Sequence, residues 1–234
     1  MLRRKEFLYF DTEFTSPIKN SDLISIGITT DDKRQFYAEL TDYDITKASK
    51  ESRQWLSKNV LDKLLLKGKP NNSFMIDKNS NTTYVKGNTE FVRNKLWMWL
   101  EEYKYGIQLV TDCGAYDMVL LQNLLSSNPV SLSYDFIQHI ELNQVIMDVM
   151  NIDGGAAADI SREELSGITG AHNALTDAIQ IKKIFNKLTK PINNIGIVEN
   201  DDEKSELFDD GYKTELFDDG YKTELFKAEY KIWD

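Results

Sequence analysis

Asp11 and Glu13 are separated by one residue in FLYFDTEF. A strand there would point both carboxylates to the same face. Two like charges so placed repel, and a divalent cation turns that repulsion into chelation. DTE taken alone also fits a solvated strand end. Asp117 follows Gly114-Ala115-Tyr116 and opens the apolar run MVLL. A glycine after a strand, then an aspartate opening a helix, presents a carboxylate at the C-terminal edge of a sheet. The simpler reading of Asp117 alone is a helix N-terminal acid favoured by the macrodipole. Asp112, at the end of the preceding strand-like run, is the weaker competitor. His172 and Asp177 lie five apart in GAHNALTDA. On a regular helix they would project about 140° apart, so His172 belongs to the loop before a helix and Asp177 to its first turns. A loop histidine near Gly167 and Gly170 suits a general base that must take a proton and release it. A capping or surface histidine is the plain alternative. The other histidine, His139, sits in an apolar, helix-like stretch and is expected to pack there. A buried carboxylate costs several kcal/mol unless its charge is compensated. Four of them in or near apolar runs therefore point to bound cations.

The elements that must position these residues can be read from periodicity. Residues 7–14, 23–30 and 34–40 read as strands, the last two joined by the polar loop Asp31-Asp32-Lys33 as a hairpin. The first two strands are apolar on both faces, as inner strands covered by helices are. Residues 49–66 carry Trp55, Val60, Leu61, Leu64 and Leu65 at helical spacing. Residues 67–88 are polar and read as a surface excursion. Residues 89–103 read as a helix with Thr89 as N-cap, 107–113 as a strand and 115–125 as a helix. Residues 134–150 read as helical with a break near His139, 154–159 as a loop, and 172–188 as an amphipathic helix. The order βββ-α-α-β-α-α-α suits an α/β fold, a ribonuclease-H-like mixed β-sheet flanked by helices. Other α/β folds share such an order, so the order alone does not select among them.

The chain has 234 residues, 41% of them hydrophobic, which allows one domain of ordinary size plus an appendage. No apolar run approaches the ~20 residues that span a bilayer, so no membrane association is expected. FLYF, after the basic N-terminus, is too short for a signal-peptide core. One cysteine, Cys113, excludes an internal disulfide framework and suits a reducing, cytoplasmic setting, or a host cytoplasm if the chain is phage-encoded. Cys113 is expected to be a small buried side chain at a strand end.

A net charge of −10 argues at first against nucleic acid as a partner. Residues 199–234 hold thirteen Asp/Glu and five Lys, a net of −8, which leaves −2 for residues 1–198. The four carboxylates singled out above account for −4, so the remainder of the body is slightly positive. Such a body can bind a phosphodiester through divalent cations and local basic residues. The lysines in 47–69 could guide phosphates, although a solvated helix face is their simpler reading. Residues 206–226 read ELFDDGYKT, ELFDDGYKT, ELF. Asp-Gly turns and an alternating YKTELF allow a small hairpin meander. An acidic, weakly ordered tail is the favoured reading, since each repeat offers three large apolar residues. The boundaries are accordingly 1–190 for a catalytic domain and 191–234 for the acidic tail.

DTEF, GAYD and HNALTD, taken together, resemble the three motifs of the DEDDh 3′→5′ exonucleases. The resemblance covers roughly residues 5–188. FLYFDTEF, LISIGI, WMWLEEY, GAYDMVLL and AHNALTDA look most similar to a branch of small 3′→5′ exoribonucleases from mycobacteria and phages. Many family members carry Asn before the second motif's Tyr/Phe-Asp, where this chain has Cys113-Gly114-Ala115; the branch shares GAYD.

The resemblance implies two divalent cations, Mg²⁺ or Mn²⁺, about 3.5–4 Å apart. It implies Asp11 bridging both, Glu13 and Asp177 fixing the one that holds the attacking water, and Asp117 supporting the other. His172 would deprotonate that water, and hydrolysis would release nucleoside 5′-monophosphates. Thr12, Phe14 and Tyr116 are the candidates for holding the terminal nucleotide, with core packing the competing reading of both aromatics. The implied partner is single-stranded or 3′-overhang nucleic acid, RNA ahead of DNA. A homodimer and a protein partner for the acidic tail are further expectations. The alternatives carried alongside are a 3′→5′ exodeoxyribonuclease, an oligoribonuclease-like enzyme, and a catalytically weak nuclease-like binding module.

Overall fold

The computed structural model describes residues 6–16, 21–103, 107–126 and 139–189. The acidic repeat tail, the choice between its two readings, and the domain boundary at 190/191 lie outside these residues. β1 (Glu6–Phe14), β2 (Leu23–Thr30) and β3 (Gln35–Leu40) form an antiparallel meander. β2 is buried along its whole length, the signature of an inner strand covered on both faces. β6 (Ile107–Thr111) adds parallel to β1, and β7 (His139–Glu141) parallel to β6. On the other side a hairpin of β4 (Ser73–Asp77) and β5 (Thr82–Gly87) joins through a parallel pairing of β5 with β3. The seven-stranded sheet runs β4-β5-β3-β2-β1-β6-β7.

Side-chain alternation along β1 splits the core into two layers. Leu8 and Phe10 join Ile26, Ile28 and Phe36 against α2 (Thr89–Leu100) and α3 (Gly114–Leu125). Tyr9, on the opposite face, joins Val110, Ile181 and Ile184 against α4 (Leu142–Met150) and α7 (Ala174–Thr189). Each fully buried Leu, Ile or Phe contributes roughly 1.5–3 kcal/mol, so these layers fix β1 at the centre of the molecule. Asp11 and Glu13 share the face of Tyr9, towards α7. Thr12 and Phe14 share the face of Leu8, towards α3.

Several elements differ from the sequence expectation. The helix expected over 49–66 is α1 (Lys50–Asn59), followed by a single 3₁₀ turn, Leu61–Lys63. Leu64 is extended, and the Leu66 N–H then reaches the buried Glu39 carboxylate at 2.7 Å, a bond a continuing helix would forbid. Residues 67–88 hold the β4–β5 hairpin instead of an excursion. Its turn is closed by the Asp77 carboxylate accepting from the Asn79 N–H, with Asn81 at φ +53. The N-cap of α2 is Asn88, not Thr89; its Oδ1 accepts from the Phe91 N–H at 2.9 Å. Residues 154–159 form α5 rather than a loop, capped by Asp153. His139 opens the strand β7 and is exposed, rather than packed in a helix. Residues 134–138 of that expected helix lie outside the described residues. Cys113, the N-cap residue of α3, is exposed rather than buried. No helix among the described residues is long and apolar enough to cross a membrane.

Candidate active site

Three of the expected ligands converge. One carboxylate oxygen from each of Asp11, Glu13 and Asp177 lies within 4.8 Å of the others. β1 supplies the first two from one face, and the first turn of α7 supplies the third. Their meeting depends on Gly27. It pairs with Asp11 across β1 and β2, and a Cβ on it would lie 2.3 Å from the backbone of Ala174. The N-terminus of α7 can therefore lie against the sheet beside Asp11 only where β2 has no side chain.

Asp117 stands next to this group on a separate support. α3 begins at Gly114, directly after β6, and Asp117 falls in its first turn. Its Oδ1 accepts from the Thr12 N–H at 3.1 Å and the Thr12 hydroxyl at 2.5 Å. The sequence offers Thr12 as a contact for the terminal nucleotide. It is buried, and both donors go to Asp117, so it holds a carboxylate in place. Phe14 stacks on Tyr116, with ring centroids 5.5 Å apart and planes at 27°. Phe14 packs partly into the core, whereas Tyr116 is 43% exposed.

His172 occupies the loop ahead of α7, as its spacing from Asp177 requires. Its backbone is left-handed, φ +65, and its N–H donates to Asp177 Oδ2 at 2.9 Å. A non-glycine residue in that region costs on the order of 1 kcal/mol, so its surroundings must hold it there. The Trp55 and His172 rings meet edge to face, their centroids 5.0 Å apart and their planes at 77°. Asn173 caps α7 through Oδ1, which accepts from the Thr176 N–H. A cavity of about 210 Å³ is lined by Asp11, His172 and Asp177 together with Asp112 and Arg162.

The electrostatics are those of an acidic cluster in need of positive charge. Burial, then the neighbouring Asp117, Asp177 and Glu13, raises Asp11 well above the carboxylate range. Burial pushes Glu13 up to about 8, with Asp177 and Asp117 adding to it and Lys63 opposing. Asp117 and Asp177 are each pushed up to about 7, chiefly by burial, against the hydrogen bonds from Thr12 and His172 respectively. His172 moves the other way. Burial and then Lys63 depress it below its ordinary value, with Glu163 opposing, which favours the neutral imidazole. A divalent cation fits this donor set: it removes the mutual repulsion that otherwise protonates the carboxylates. Asp11, Glu13 and Asp177 are placed to share one ion, with Asp117 beside them.

Some contributors were not foreseen. Gly27 had a signal in sequence, a lone glycine within the β-branched run LISIGITT. Asn173 had one as well, a helix-capping residue three before Thr176. Asp112, the weaker competitor of Asp117 in the sequence, lines the cavity wall with Asp11 and Asp177. It is paired with Arg162, whose remaining N–H groups go to the Ala157 and Ile160 carbonyls and to Asn143 Oδ1. That pairing spans fifty residues and has no local sequence signature.

Fold and site together define a ribonuclease-H-like α/β protein with a carboxylate–histidine cleft at the sheet's centre. Several solved structures share the fold. The nuclease domain of 3′hExo, a DEDDh family member bound to rAMP, superimposes with a TM-score of 0.52 at 14% identity, over 79% of this chain and 91% of that one. The Mg²⁺- and Mn²⁺-bound form of S. pombe Pop2p superimposes with a TM-score of 0.50 at 16% identity, over 78% and 82%. A 3′-exonuclease described in 3′-end-specific recognition of a histone mRNA stem-loop has a TM-score of 0.50 at 14% identity, over 79% and 63%. No protein-family model and no curated protein matches the sequence.

Proposed function

We propose that this chain is a metal-dependent 3′→5′ exonuclease that hydrolyses terminal phosphodiesters to nucleoside 5′-monophosphates, with RNA as the preferred substrate. The observation that carries the reading is the convergence of Asp11, Glu13 and Asp177 within 4.8 Å, with His172 lining the same cavity as Asp11 and Asp177. Two divalent cations, Mg²⁺ or Mn²⁺, held by these three residues and Asp117, would neutralise the phosphate and favour ionisation of water at neutral pH. The chain's own groups do the remainder. His172 takes the proton from the attacking water at an imidazole nitrogen and returns it to solvent from its loop. Asp177 fixes the backbone of that histidine, and Thr12 fixes Asp117. The exposed Tyr116, stacked on Phe14, would take the terminal base.

The RNA preference draws on two neighbours whose structures concern rAMP and a histone mRNA stem-loop, and on the sequence's likeness to an exoribonuclease branch. The test is release of mononucleotides from 3′-labelled RNA and matched DNA in Mg²⁺, with Asp11→Asn as control. Undiminished activity in Asp11→Asn removes the site assignment. DNA cleaved as fast as RNA removes the preference and leaves the reaction standing.

A further inference from the structure

The loop that carries His172 is conformationally expensive. Gly167, Gly170 and His172 all have positive φ, at +64, +107 and +65. Glycine adopts such angles freely, but histidine does not. Something must hold residues 170–172, and two side chains of opposite charge do so from different elements. Glu163, on α6 (Arg162–Ser166), accepts from the Gly170 N–H at 2.7 Å and the Ala171 N–H at 3.0 Å. Lys63, at the end of the 3₁₀ turn after α1, donates its ammonium to the Ala171 carbonyl. Ala171, the residue before the histidine, is thus gripped by an anion at its N–H and a cation at its carbonyl. Asn173 ties the grip together: its Nδ2 donates to the Lys63 carbonyl at 3.0 Å while its Oδ1 caps α7. The Gln180 amide secures the start of the same loop through the Ile168 carbonyl at 2.8 Å. Trp55, one helix earlier than Lys63, meets the imidazole edge-on.

We propose that Lys63 and Glu163 form a two-sided clamp, positioning residues that hold His172 in its left-handed conformation so that the imidazole faces the carboxylates. The inference rests on the nuclease reading for its kinetic consequence but not for its structural one. Lys63 and Glu163 bear on the reaction through His172, so their effect exists only while His172 is present. A direct contact of Lys63 with a substrate phosphate would behave differently, raising KM and surviving removal of the histidine.

The full-length chain tests this with Lys63→Met, Lys63→Arg and Glu163→Gln, each also combined with His172→Ala. Lys63→Met and Glu163→Gln are expected to lower kcat by roughly 10–100-fold with KM changed by less than about threefold, as misplacement of a catalytic group does. Lys63→Arg restores kcat to within about threefold, since a guanidinium also donates to a carbonyl. In the His172→Ala background the same substitutions cost less than about twofold, because coupled residues are not additive. Amide exchange at residues 170–172 accelerates in Lys63→Met and Glu163→Gln, and Mn²⁺ affinity stays within about threefold. Full losses in the His172→Ala background, a rise in KM at constant kcat, or unchanged amide exchange would overturn the clamp. An inactive parent chain would sink the nuclease reading, while amide exchange would still decide the clamp.

Discussion

Gly27 and Ala174 touch backbone to backbone: a Cβ at position 27 would lie 2.3 Å from the carbonyl carbon and oxygen of Ala174. Gly27 is also the register partner of Asp11. One glycine therefore sets the distance between the strand that supplies two carboxylates and the helix that supplies the third. Gly27→Ala must push α7 away, because a main chain cannot rotate aside as a side chain can. The expected cost is about 1–3 kcal/mol of stability, as for other overpacked sites, with a larger fall in activity than in stability. Thermal unfolding and nucleotide release on the same variant check this, and wild-type values for both would mean that α7 can retreat without consequence.

Asp11→Asn separates function from stability. It removes one of several like charges from a partly closed site, so the metal-free protein should gain a few degrees in Tm, roughly 2–4 °C per kcal/mol at this size. The same change should reduce nucleotide release at least about a thousandfold, the scale of losing a principal electrostatic element. It should also abolish the Tm increase that Mg²⁺ gives the parent. A metal-free variant no more stable than the parent would show that the acidic cluster is not strained.

Stability in a chelator should depend on pH in a stated direction. Glu13 rises from 4.5 to about 8 on folding, and Asp117 and Asp177 from 3.8 to about 7. The folded state holds these protons more tightly than the unfolded one, so their contribution is complete below about pH 4 and is lost as pH rises through 7–8. Denaturant unfolding of the metal-free chain should therefore weaken steadily between those limits. Mg²⁺ binds the ionised carboxylates and should flatten or reverse the slope. A metal-free stability that climbs with pH over that window would contradict the buried, unpaired state of the cluster.

Legibility in the sequence followed the physics of each signal. β1, β2 and α3 were readable because long apolar runs leave few alternatives, and the place of His172 followed from helical geometry applied to a five-residue spacing. The β4–β5 hairpin was not, because Phe74, Met75 and Ile76 on an edge strand are exposed and show no buried, alternating face. β7 spans three residues, too few to carry a period. α5 opens with Gly154-Gly155, which locally argues against a helix. The four carboxylates were visible as types, but their supports were not: Thr12 to Asp117, or Lys63 to the Ala171 carbonyl, join residues 105 and 108 apart.

Thr12→Val keeps the shape of a buried side chain and removes one of the two donors on Asp117. The Thr12 N–H remains, so the carboxylate should stay near its place but bind its proton more tightly. The expected effect is a loss of roughly 5–30-fold in kcat, from a hydrogen bond to a charged group worth about 1–2 kcal/mol. A larger Mg²⁺ requirement should accompany it. An unchanged metal titration would show that the hydroxyl does not tune Asp117.

Tyr116→Ala should act on binding alone. Stacking of a base on an aromatic ring contributes about 1–3 kcal/mol, so KM for RNA should rise by roughly tenfold or more while Mg²⁺ affinity holds. Equal KM values in parent and variant would remove Tyr116 from the nucleotide subsite.

The order in which the cleft is completed follows from where its parts fall along the chain. Asp11 and Glu13 come from the first strand, Asp117 from the third helix, and His172 and Asp177 from the last described element and the loop before it. A ribosome delivers them in that order. A nascent chain ending before residue 172 carries three of the acids with neither the base nor the fourth carboxylate. If the proposed nuclease reading holds, hydrolytic competence arrives late in synthesis, when α7 docks on Gly27, and an interrupted translation product would lack it.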